Sequence, residues 1–324
     1  MLTDRYNRVH DYLRISLTDS CNLRCSYCRP GTMVSCKNNR PAIMSGEEIA
    51  SLAGHFAELG IRKIRLTGGE PLMRNDFPAI LRNLRNRLDS SIELALTTNG
   101  VLVHRYINEI LEAQIGSVNV SLDSLMPERF LKITQRNFFH RVMSNIHLLM
   151  HNNIRVKVNV VVMKNFNDDE LVDFVRWTRD YPLDVRFIEF MPFQGNDWVK
   201  EKLVRMDAMM EVIKAHFDTV RIETENENAT ALTYQVPGFE GTFSFIPSMS
   251  APFCNSCSRL RITSDGKMKN CLFSTGEIDL LTAMRSGCDI KTFVRRHVME
   301  KKEKWGGLRL FEEAVTRSMI SIGG

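Results

Sequence analysis

The sequence predicts an α/β protein built around a parallel β-sheet. Short β-rich runs alternate with amphipathic stretches along the first two thirds of the chain. The six runs lie at 12–17, 63–67, 92–97, 117–121, 156–162 and 184–189. The amphipathic stretches include 168–181 and 45–59, and the latter opens with a capping box of Ser45 and Glu48 and ends before Gly60. Six such β–α units in series indicate a sheet that is either doubly wound or curled into a barrel.

The composition is that of an ordinary globular protein. The 324 residues are 44% hydrophobic and 25% charged, with a formal net charge of +5. Such a mild charge gives no reason to expect a nucleic-acid partner. No apolar run approaches the roughly 18–20 residues of a membrane span, and the charged start at Asp4 and Arg5 is unlike a signal peptide. We therefore expect a cytoplasmic protein that contacts neither membranes nor nucleic acids.

Polar segments follow five of the predicted strands. They lie at 18–28, 67–71, 97–100, 121–123 and 189–191. The carboxyl ends of parallel strands meet at one rim, where β/α proteins place their chemistry. None of these segments is the glycine-rich loop of a Rossmann or P-loop site. The pattern therefore predicts an active site of another kind at this rim.

The strands also carry cations where a buried parallel sheet should be apolar. These residues are Arg14, Lys63, Arg65, Lys157 and Arg186. Alternation puts Lys63, Arg65 and Thr67 on one face, opposite Ile64 and Leu66. The cations could be surface residues, but a strand covered by helices has little surface to reach. Unpaired cations inside a barrel cost several kcal/mol each unless an anion or an acidic partner lies among them. They predict a strongly anionic ligand, with phosphates the leading candidate.

The eight cysteines include two groups at ligand spacing. The first is Cys21, Cys25 and Cys28, and the second is Cys254, Cys257 and Cys271. Three thiolates leave one iron of a cubane cluster open, whereas a structural zinc site needs four protein ligands. The spacing of the first group suits neither zinc knuckles nor ferredoxins, while iron–sulfur and zinc both stay open for the second. Cys36 and Cys288 have no partners at such spacing and are expected to be ordinary thiols.

The pattern changes near residue 218 to short alternating strands at 219–223, 231–236 and 242–246. We predict one domain at 1–217 and a smaller one at 218–324, which carries the second cysteine group as a cap on the barrel mouth. The segment of Arg259, Leu260 and Arg261 follows Cys257 directly. If it is extended, the two arginines share one side.

These motifs resemble a known family. Cys21, Cys25 and Cys28, with Tyr27 before the third cysteine, resemble the signature of the radical S-adenosylmethionine (SAM) superfamily, as does the Gly-Gly-Glu-Pro of 68–71. The second cysteine group, the Arg-x-Arg after it and the final Gly-Gly resemble the GTP 3′,8-cyclase family of molybdenum cofactor biosynthesis. The resemblance runs from Arg14 to 324 and departs at 29–30, where Arg-Pro replaces a common Met-Pro.

The resemblance implies an incomplete (β/α)6 TIM-type barrel with a small C-terminal iron–sulfur domain. It also implies two [4Fe–4S] clusters, one on each cysteine group, with SAM on the first and the guanine of GTP on the second. The implied SAM contacts are Tyr27, Gly69, Glu70, Ser121 and Met191. The implied GTP contacts are Arg14, Lys63, Arg65, Thr97, Lys157, Arg186, Arg259, Leu260 and Arg261. The first cysteine group, Arg259 and Arg261 form the implied catalytic set, and the Gly323–Gly324 tail would reach the active site.

The implied reaction is the first step of molybdenum cofactor biosynthesis. A 5′-deoxyadenosyl radical derived from SAM removes the C3′ hydrogen of GTP, and ring closure at C8 gives (8S)-3′,8-cyclo-7,8-dihydro-GTP. The implied partners are a low-potential electron donor and cyclic pyranopterin monophosphate synthase as the next enzyme. The protein is expected to be a monomer or a homodimer.

Two other hypotheses fit parts of the sequence. A related radical SAM enzyme with a similar C-terminal cluster domain could modify a peptide, although a peptide does not require so many converging cations. A zinc- or cluster-bearing module could bind RNA, and it would carry its cations on an exposed face. The position of the cations therefore separates these hypotheses.

Overall fold

The computed structural model describes residues 1–28, 43–223, 230–308 and 317–323. Arg29, Pro30, Cys36 and Gly324 lie outside these residues. Within them the strands are β1 (Leu2–Thr3), β2 (Val9–His10), β3 (Tyr12–Ser16), β4 (Lys63–Thr67), β5 (Glu93–Thr98), β6 (Ile115–Ser121), β7 (Arg155–Val162), β8 (Asp184–Glu189), β9 (Val220–Ile222), β10 (Leu232–Gln235), β11 (Thr242–Ile246), β12 (Arg259–Ile262), β13 (Lys267–Lys269) and β14 (Ile278–Asp279). The α-helices are α1 (Gly46–Glu58), α2 (Phe77–Arg87), α3 (Ile107–Glu112), α4 (Pro127–Thr134), α5 (Phe139–His151), α6 (Leu171–Trp177), α7 (Met206–Lys214), α8 (Leu280–Arg285), α9 (Ile290–Met299) and α10 (Met319–Ile322).

The central strands form the parallel sheet that the sequence predicts. Strands β3 to β8 are hydrogen-bonded in chain order, and all five neighbouring pairs are parallel. Each lies within two residues of its predicted position. Helices connect successive strands, so the six units form the partial TIM-type barrel. The incomplete (β/α)6 barrel is confirmed.

Two strands from the C-terminal part of the chain extend this barrel. Strand β11 pairs in parallel with β8, and β12 pairs in parallel with β3. The three C-terminal strands predicted at 219–223, 231–236 and 242–246 do form, but they continue the barrel sheet beyond β8. Phe243 and Phe245 of β11 are fully buried, and Phe245 lies against Phe187 of β8. This apolar contact binds β11 to the barrel edge, and the boundary at 217 stays a prediction.

Helix α1 shows how the outer layer is fixed. Ser45 Oγ accepts a hydrogen bond from Glu48 N at 3.2 Å, and Ser45 N donates to Glu48 Oε2 at 2.8 Å, so the predicted capping box is confirmed. Helix α6 is shorter than the predicted 168–181 and ends at Trp177. The next residue, Thr178, caps it, and its hydroxyl donates a hydrogen bond to Val175 O at 2.7 Å. Among the residues placed, no helix is both long and apolar enough to cross a bilayer.

The strands place apolar and polar residues on opposite faces. Ile64 and Leu66 of β4 are fully buried in the apolar core beneath the helices. Lys63 and Arg65 alternate with them and line the barrel lumen. The lumen is therefore a polar cavity inside an apolar shell, which positions the candidate site.

Candidate active site

A cavity of about 760 Å³ occupies the lumen and its rim. It is lined by residues from the barrel strands β3 to β8 and from β12. Of the residues that the sequence proposes for the site, those lining it are Arg14, Cys21, Cys25, Tyr27, Cys28, Lys63, Arg65, Gly69, Thr97, Ser121, Lys157, Arg186, Met191, Arg259 and Arg261. Residues that are distant in sequence therefore converge on one space.

The arginines stand side by side across neighbouring strands. Arg261 of β12 is in register with Arg14 of β3, and Arg14 is in register with Arg65 of β4. Two residues earlier in the same three strands, Arg259 is in register with Tyr12, and Tyr12 is in register with Lys63. Neighbouring strands lie about 4.8 Å apart, so like charges in one row repel. The sheet holds this arrangement because pairing and the apolar shell fix the backbone.

Two lumen cations have acidic partners, one of the two possibilities that the strand pattern leaves open. Lys63 Nζ lies 2.7 Å from Glu93 Oε1, and Arg186 Nε lies 2.6 Å from Asp184 Oδ2. Glu93 lies on the neighbouring strand β5, thirty residues from Lys63 in sequence. Asp184 lies on β8 two residues before Arg186, on the same face of the strand. The structure describes no carboxylate within 4 Å of Arg14, Lys157, Arg259 or Arg261. The lumen therefore keeps a surplus of positive charge.

Burial and the surplus of positive charge in the lumen together lower the pKa values of two of its cations. Burial, and then Arg186, lower the pKa of Lys157 from 10.5 to about 7. Burial, and then Arg14 and Arg259, lower the pKa of Arg261 from 12.5 to about 9. Without a nearby anion, the charged form of each group is therefore less favourable than it is in water. A polyanion in the lumen would relieve this cost.

Tyr12 is a lumen residue that the sequence analysis missed. Its hydroxyl accepts a hydrogen bond from Arg65 Nε at 2.6 Å, and Lys63 and Arg259 lie over its ring. Burial raises the pKa of Tyr12, but Arg65, Arg14 and Arg259 outweigh it and lower the pKa from 10.0 to about 7. The sequence does contain an indication of this position, because Tyr12 lies two residues before Arg14 in β3 and therefore on the same face of the strand.

Several buried polar atoms in the lumen have no hydrogen-bond partner among the residues that the structure describes. They are Arg14 Nε, Thr97 Oγ1, Asn119 Oδ1 and Asn159 Oδ1. All four residues line the cavity. An unsatisfied buried polar group costs about 1–3 kcal/mol, and such groups are few in a folded protein. Together they mark the lumen as a site for a ligand with many polar atoms.

The first cysteine group lies in the loop after β3, at the rim. Cys21 Sγ accepts hydrogen bonds from Leu23 N at 3.4 Å and Asn99 Nδ2 at 3.6 Å. The glycine pair after β4 lets a second loop pass close to this one, because Gly69 N donates to Thr18 O at 2.6 Å. A Cβ on Gly69 would collide with Ser20 O. Glycine at this position therefore keeps the two loops in contact.

Glu70 lies beneath the rim and does not line the cavity. Its carboxylate accepts from Asn99 N at 2.6 Å, Thr98 Oγ1 at 2.7 Å and Leu72 N at 3.1 Å. Burial raises the pKa of Glu70 from 4.5 to about 7, although these bonds oppose the rise. Glu70 thus holds the loop after β5, which presents Asn99 to Cys21.

Tyr27 and Asp123 form a pair on the rim. Tyr27 Oη donates to Asp123 Oδ2 at 2.6 Å, and Val161 N donates to Asp123 Oδ1 at 2.8 Å. Burial raises the pKa of Asp123 from 3.8 to about 6. Asp123 is a further rim residue outside the predicted set, although its segment after β6 was noted. The pair fixes Tyr27 next to the first cysteine group.

The second cysteine group borders a smaller cavity of about 60 Å³. Cys254 and Cys257 lie in the turn before β12, and Cys271 follows β13. Arg259, Arg261 and Met191 line both cavities, so the two spaces adjoin. Leu260 lies outside both; it is fully buried in the core and in register with Leu13.

Both cysteine groups have the chemistry that a cubane cluster requires. Among the described residues none of these six cysteines forms a disulfide, all six are partly exposed, and each group of three borders one cavity. Burial raises the pKa of Cys257, but Lys301 and Arg259 outweigh it, and the net shift is downward, toward the thiolate. Within the described ranges no three His, Cys, Asp or Glu side chains are placed to hold a single metal ion. A cubane asks for a different arrangement, because each thiolate ligates a separate iron.

Gly323 lies inside the barrel beside these groups. Its carbonyl accepts a hydrogen bond from Arg261 Nη1 at 3.0 Å, and its φ is +82°. A Cβ at this position would lie 2.6 Å from Thr67 Oγ1 and 2.8 Å from Ser16 Cβ. The close approach to β3 and β4 therefore requires glycine, and the C-terminal tail reaches the cavity wall.

Comparison with known proteins assigns the class. The description Radical SAM superfamily matches residues 15–178, and Molybdenum Cofactor Synthesis C matches residues 183–306. The structure of SuiB from Streptococcus suis bound to S-adenosylmethionine superposes with a TM-score of 0.63 at 14% identity, covering 89% of this chain and 68% of that one. At that identity the likeness shows the fold alone.

Curated relatives narrow the class to a family. The chain is 39% identical to the GTP 3′,8-cyclase of Alkaliphilus oremlandii (strain OhILAs) over 100% of both proteins. It is 42% identical to the mitochondrial GTP 3′,8-cyclase of Arabidopsis thaliana, covering 84% of that protein. It is 43% identical to Molybdenum cofactor biosynthesis protein 1 of Homo sapiens over 99% of this chain, and spans about half of that relative, 51%. The chain belongs to the radical SAM superfamily and, within it, to the GTP 3′,8-cyclase family.

Proposed function

We propose that the protein is a GTP 3′,8-cyclase that converts GTP to (8S)-3′,8-cyclo-7,8-dihydro-GTP, the first step of molybdenum cofactor biosynthesis. The observation that carries the proposal is a cation-rich lumen lying between two groups of three cysteines. Its cofactors are SAM and two [4Fe–4S] clusters, as family membership implies. The cations line the lumen and not an outer face, which supports a small anionic substrate over RNA.

The first cysteine group and its surroundings serve SAM. Cys21, Cys25 and Cys28 would hold the first cluster, which would bind SAM. Tyr27, Gly69, Ser121 and Met191 contact SAM from the cavity wall. Glu70 acts from below by holding the loop that presents Asn99. The cluster and SAM supply one-electron chemistry when they are bound.

The lumen cations hold the triphosphate and ribose of GTP. Arginine forks bind phosphate oxygens with two parallel hydrogen bonds, and lysines act as point charges. The residues that we assign to GTP are Arg14, Lys63, Arg65, Thr97, Lys157, Arg186, Arg259 and Arg261. Leu260 contributes through its backbone position between two of these arginines. With the phosphates held, the ribose C3′ is kept beside the SAM end of the cavity.

The second cysteine group orients the base. Cys254, Cys257 and Cys271 would hold the second cluster, which would bind the guanine of GTP. Gly323 closes the wall next to Arg261 and excludes water from the space between the clusters. The chain provides position and exclusion, and it needs no acid–base pair to remove hydrogen from carbon.

The remaining partners follow from this chemistry. A low-potential electron donor reduces the clusters, and the product passes to cyclic pyranopterin monophosphate synthase. We place the reaction in the cytoplasm, with the protein acting as a monomer or a homodimer.

The proposal is tested by anaerobic turnover with the iron-reconstituted protein. SAM, GTP and dithionite should give 5′-deoxyadenosine together with a GTP isomer that oxidises to a pterin. Arg261→Ala should lose GTP turnover while its iron content stays unchanged, and the exposed Arg176→Ala is the matched control. Full turnover by Arg261→Ala would overturn the GTP assignment. Deoxyadenosine with unchanged GTP in the wild type would favour a peptide substrate.

A further inference from the structure

Lys301 is a buried lysine beside the second cysteine group. It follows α9, and its residue is 2% exposed. Its Nζ donates to Arg259 O at 3.1 Å and Cys257 O at 3.4 Å, and lies 3.5 Å from Cys257 Sγ. The ammonium group is thus held against a cysteine that we assign to the second cluster.

The charge of Lys301 has no carboxylate partner in the part of the chain that the structure describes. No Asp or Glu oxygen of those residues lies within 4 Å of its Nζ. The nearby Arg8 differs, because its Nε is paired with Asp4 Oδ2 at 2.6 Å while its Nη1 donates to Cys254 O at 2.8 Å. A buried ammonium without a counterion costs several kcal/mol. Lys301 therefore requires an anion, and no carboxylate of the described residues provides it.

A cluster on the second cysteine group is such an anion. Three thiolates and a [4Fe–4S]²⁺ core carry one net negative charge, and one-electron reduction adds another. A cation that donates a hydrogen bond to a ligating sulfur stabilises the reduced form more than the oxidised form. Hydrogen bonds to cluster sulfurs and nearby charge are known levers on reduction potential.

We propose that Lys301 is the counterion of the second cluster and raises its reduction potential through Cys257. The inference rests on the proposed assignment of Cys254, Cys257 and Cys271 as cluster ligands. Lys301 is a positioning and tuning residue, since its ammonium reaches the ligand sulfur and not the substrate space. Arg8 and Lys301 then have different tasks: the first holds the Cys254 backbone, and the second balances charge.

The test is a redox titration followed by electron paramagnetic resonance on the anaerobically reconstituted protein. A background with Cys21, Cys25 and Cys28 changed to Ala isolates the second cluster, and the full holoenzyme is measured in parallel. Lys301→Met should shift the midpoint to more negative potential by about a tenfold change in the reduction equilibrium, about 59 mV for one electron. Lys301→Arg should restore it, and the exposed neighbour Lys302→Met is the matched control.

The outcomes separate the two assignments. An unchanged midpoint in Lys301→Met with the second cluster present would overturn the role of Lys301 and leave the cyclase proposal standing. Loss of the cluster in Lys301→Met but not in Lys301→Arg supports the counterion role, whereas loss in both shows packing alone and overturns it. A background that binds no cluster at all would overturn the ligand assignment itself, and the inference with it.

Discussion

At the scale of single residues, the arrangement of the lumen arginines favours binding of an anionic ligand and lowers the stability of the ligand-free protein. Arg14 lies between Arg65 and Arg261 in one row, and its Nε has no hydrogen-bond partner within the described ranges. Like charges in such a row oppose folding, while an anion between them binds strongly. Stability and affinity should therefore respond to the same substitution with opposite signs.

Arg14→Met tests this directly. We expect the free energy of unfolding of the GTP-free protein to rise by about 1 kcal/mol, because a repelling buried charge is removed. GTP binding should weaken by about 2 kcal/mol, roughly thirtyfold, because charge-assisted hydrogen bonds are lost. Thermal unfolding and calorimetric titration measure the two effects. Arg176→Met on the exposed face of α6 is the control, and a destabilised Arg14→Met with normal GTP affinity would contradict the assignment.

The pKa of Lys157 predicts how GTP binding depends on pH. In the free protein this pKa lies at about 7, lowered first by burial and then by Arg186. A neighbouring triphosphate favours the protonated form and raises the pKa. Below pH 7 the free lysine already carries its proton, so affinity is highest there. Above pH 7 binding must take up a proton, so affinity falls as pH rises.

Calorimetry at pH 8 in two buffers of different ionisation enthalpy measures this proton uptake. Lys157→Met should take up less proton and show a flatter pH profile. Tyr12, with its pKa also lowered to about 7, contributes with the same sign and accounts for a residual slope. An identical pH profile for wild type and Lys157→Met would show that Lys157 does not face the triphosphate.

At the scale of elements, the site depends on two loops that touch at the rim. Gly69 allows the loop after β4 to reach the cysteine loop after β3, where a Cβ would meet the Ser20 carbonyl. Displacing this contact moves backbone next to Cys21. The elements themselves are stable, so the effect should be local.

Gly69→Ala should lose the iron of the first cluster, about half of the total, while the fold and the second cluster remain. Iron analysis after anaerobic reconstitution, with circular dichroism for the fold, gives the measurement. Gly276→Ala is the matched control, since its added Cβ would have no atom within 4 Å. Full iron content in Gly69→Ala would show that the loop contact is dispensable for cluster assembly.

The sequence predicts local elements better than their long-range partners. Strand β4 can be predicted because Ile64 and Leu66 alternate with Lys63 and Arg65. The start of α1 can be predicted because the Ser45 capping box involves residues close in sequence. The pairing of β11 with β8 and of β12 with β3 cannot be predicted in this way, because the residues of a strand do not indicate which distant segment it pairs with. The same reason hides Glu93 and Lys301, whose partners become neighbours only in the folded chain.

At the scale of the whole molecule, the barrel separates two cysteine groups across one cavity. The first lies after β3, and the second lies in the turn before β12 and just after β13. Arg259 and Arg261 border both spaces. One group can therefore be altered without rearranging the other. This separation predicts that the two clusters make distinct contributions to the reaction.

Cys254→Ser tests this independence. The variant should retain the first cluster, and with it about half of the iron. It should still cleave SAM slowly to 5′-deoxyadenosine, because the SAM end of the cavity is unchanged. It should not form the cyclised GTP isomer, because the base has lost its anchor. Iron analysis and mass spectrometry of the products give the result. A normal cyclisation rate would show that the second cluster does not dock the guanine.

The most direct test of the central claim uses GTP deuterated at C3′ in a single anaerobic reaction with the reconstituted protein, SAM and dithionite. The lumen is proposed to hold the ribose with C3′ toward the SAM end. We expect deuterium to appear in 5′-deoxyadenosine, together with a GTP isomer that has lost it. Unlabelled 5′-deoxyadenosine beside unchanged GTP would contradict the claim that this cavity binds GTP for cyclisation.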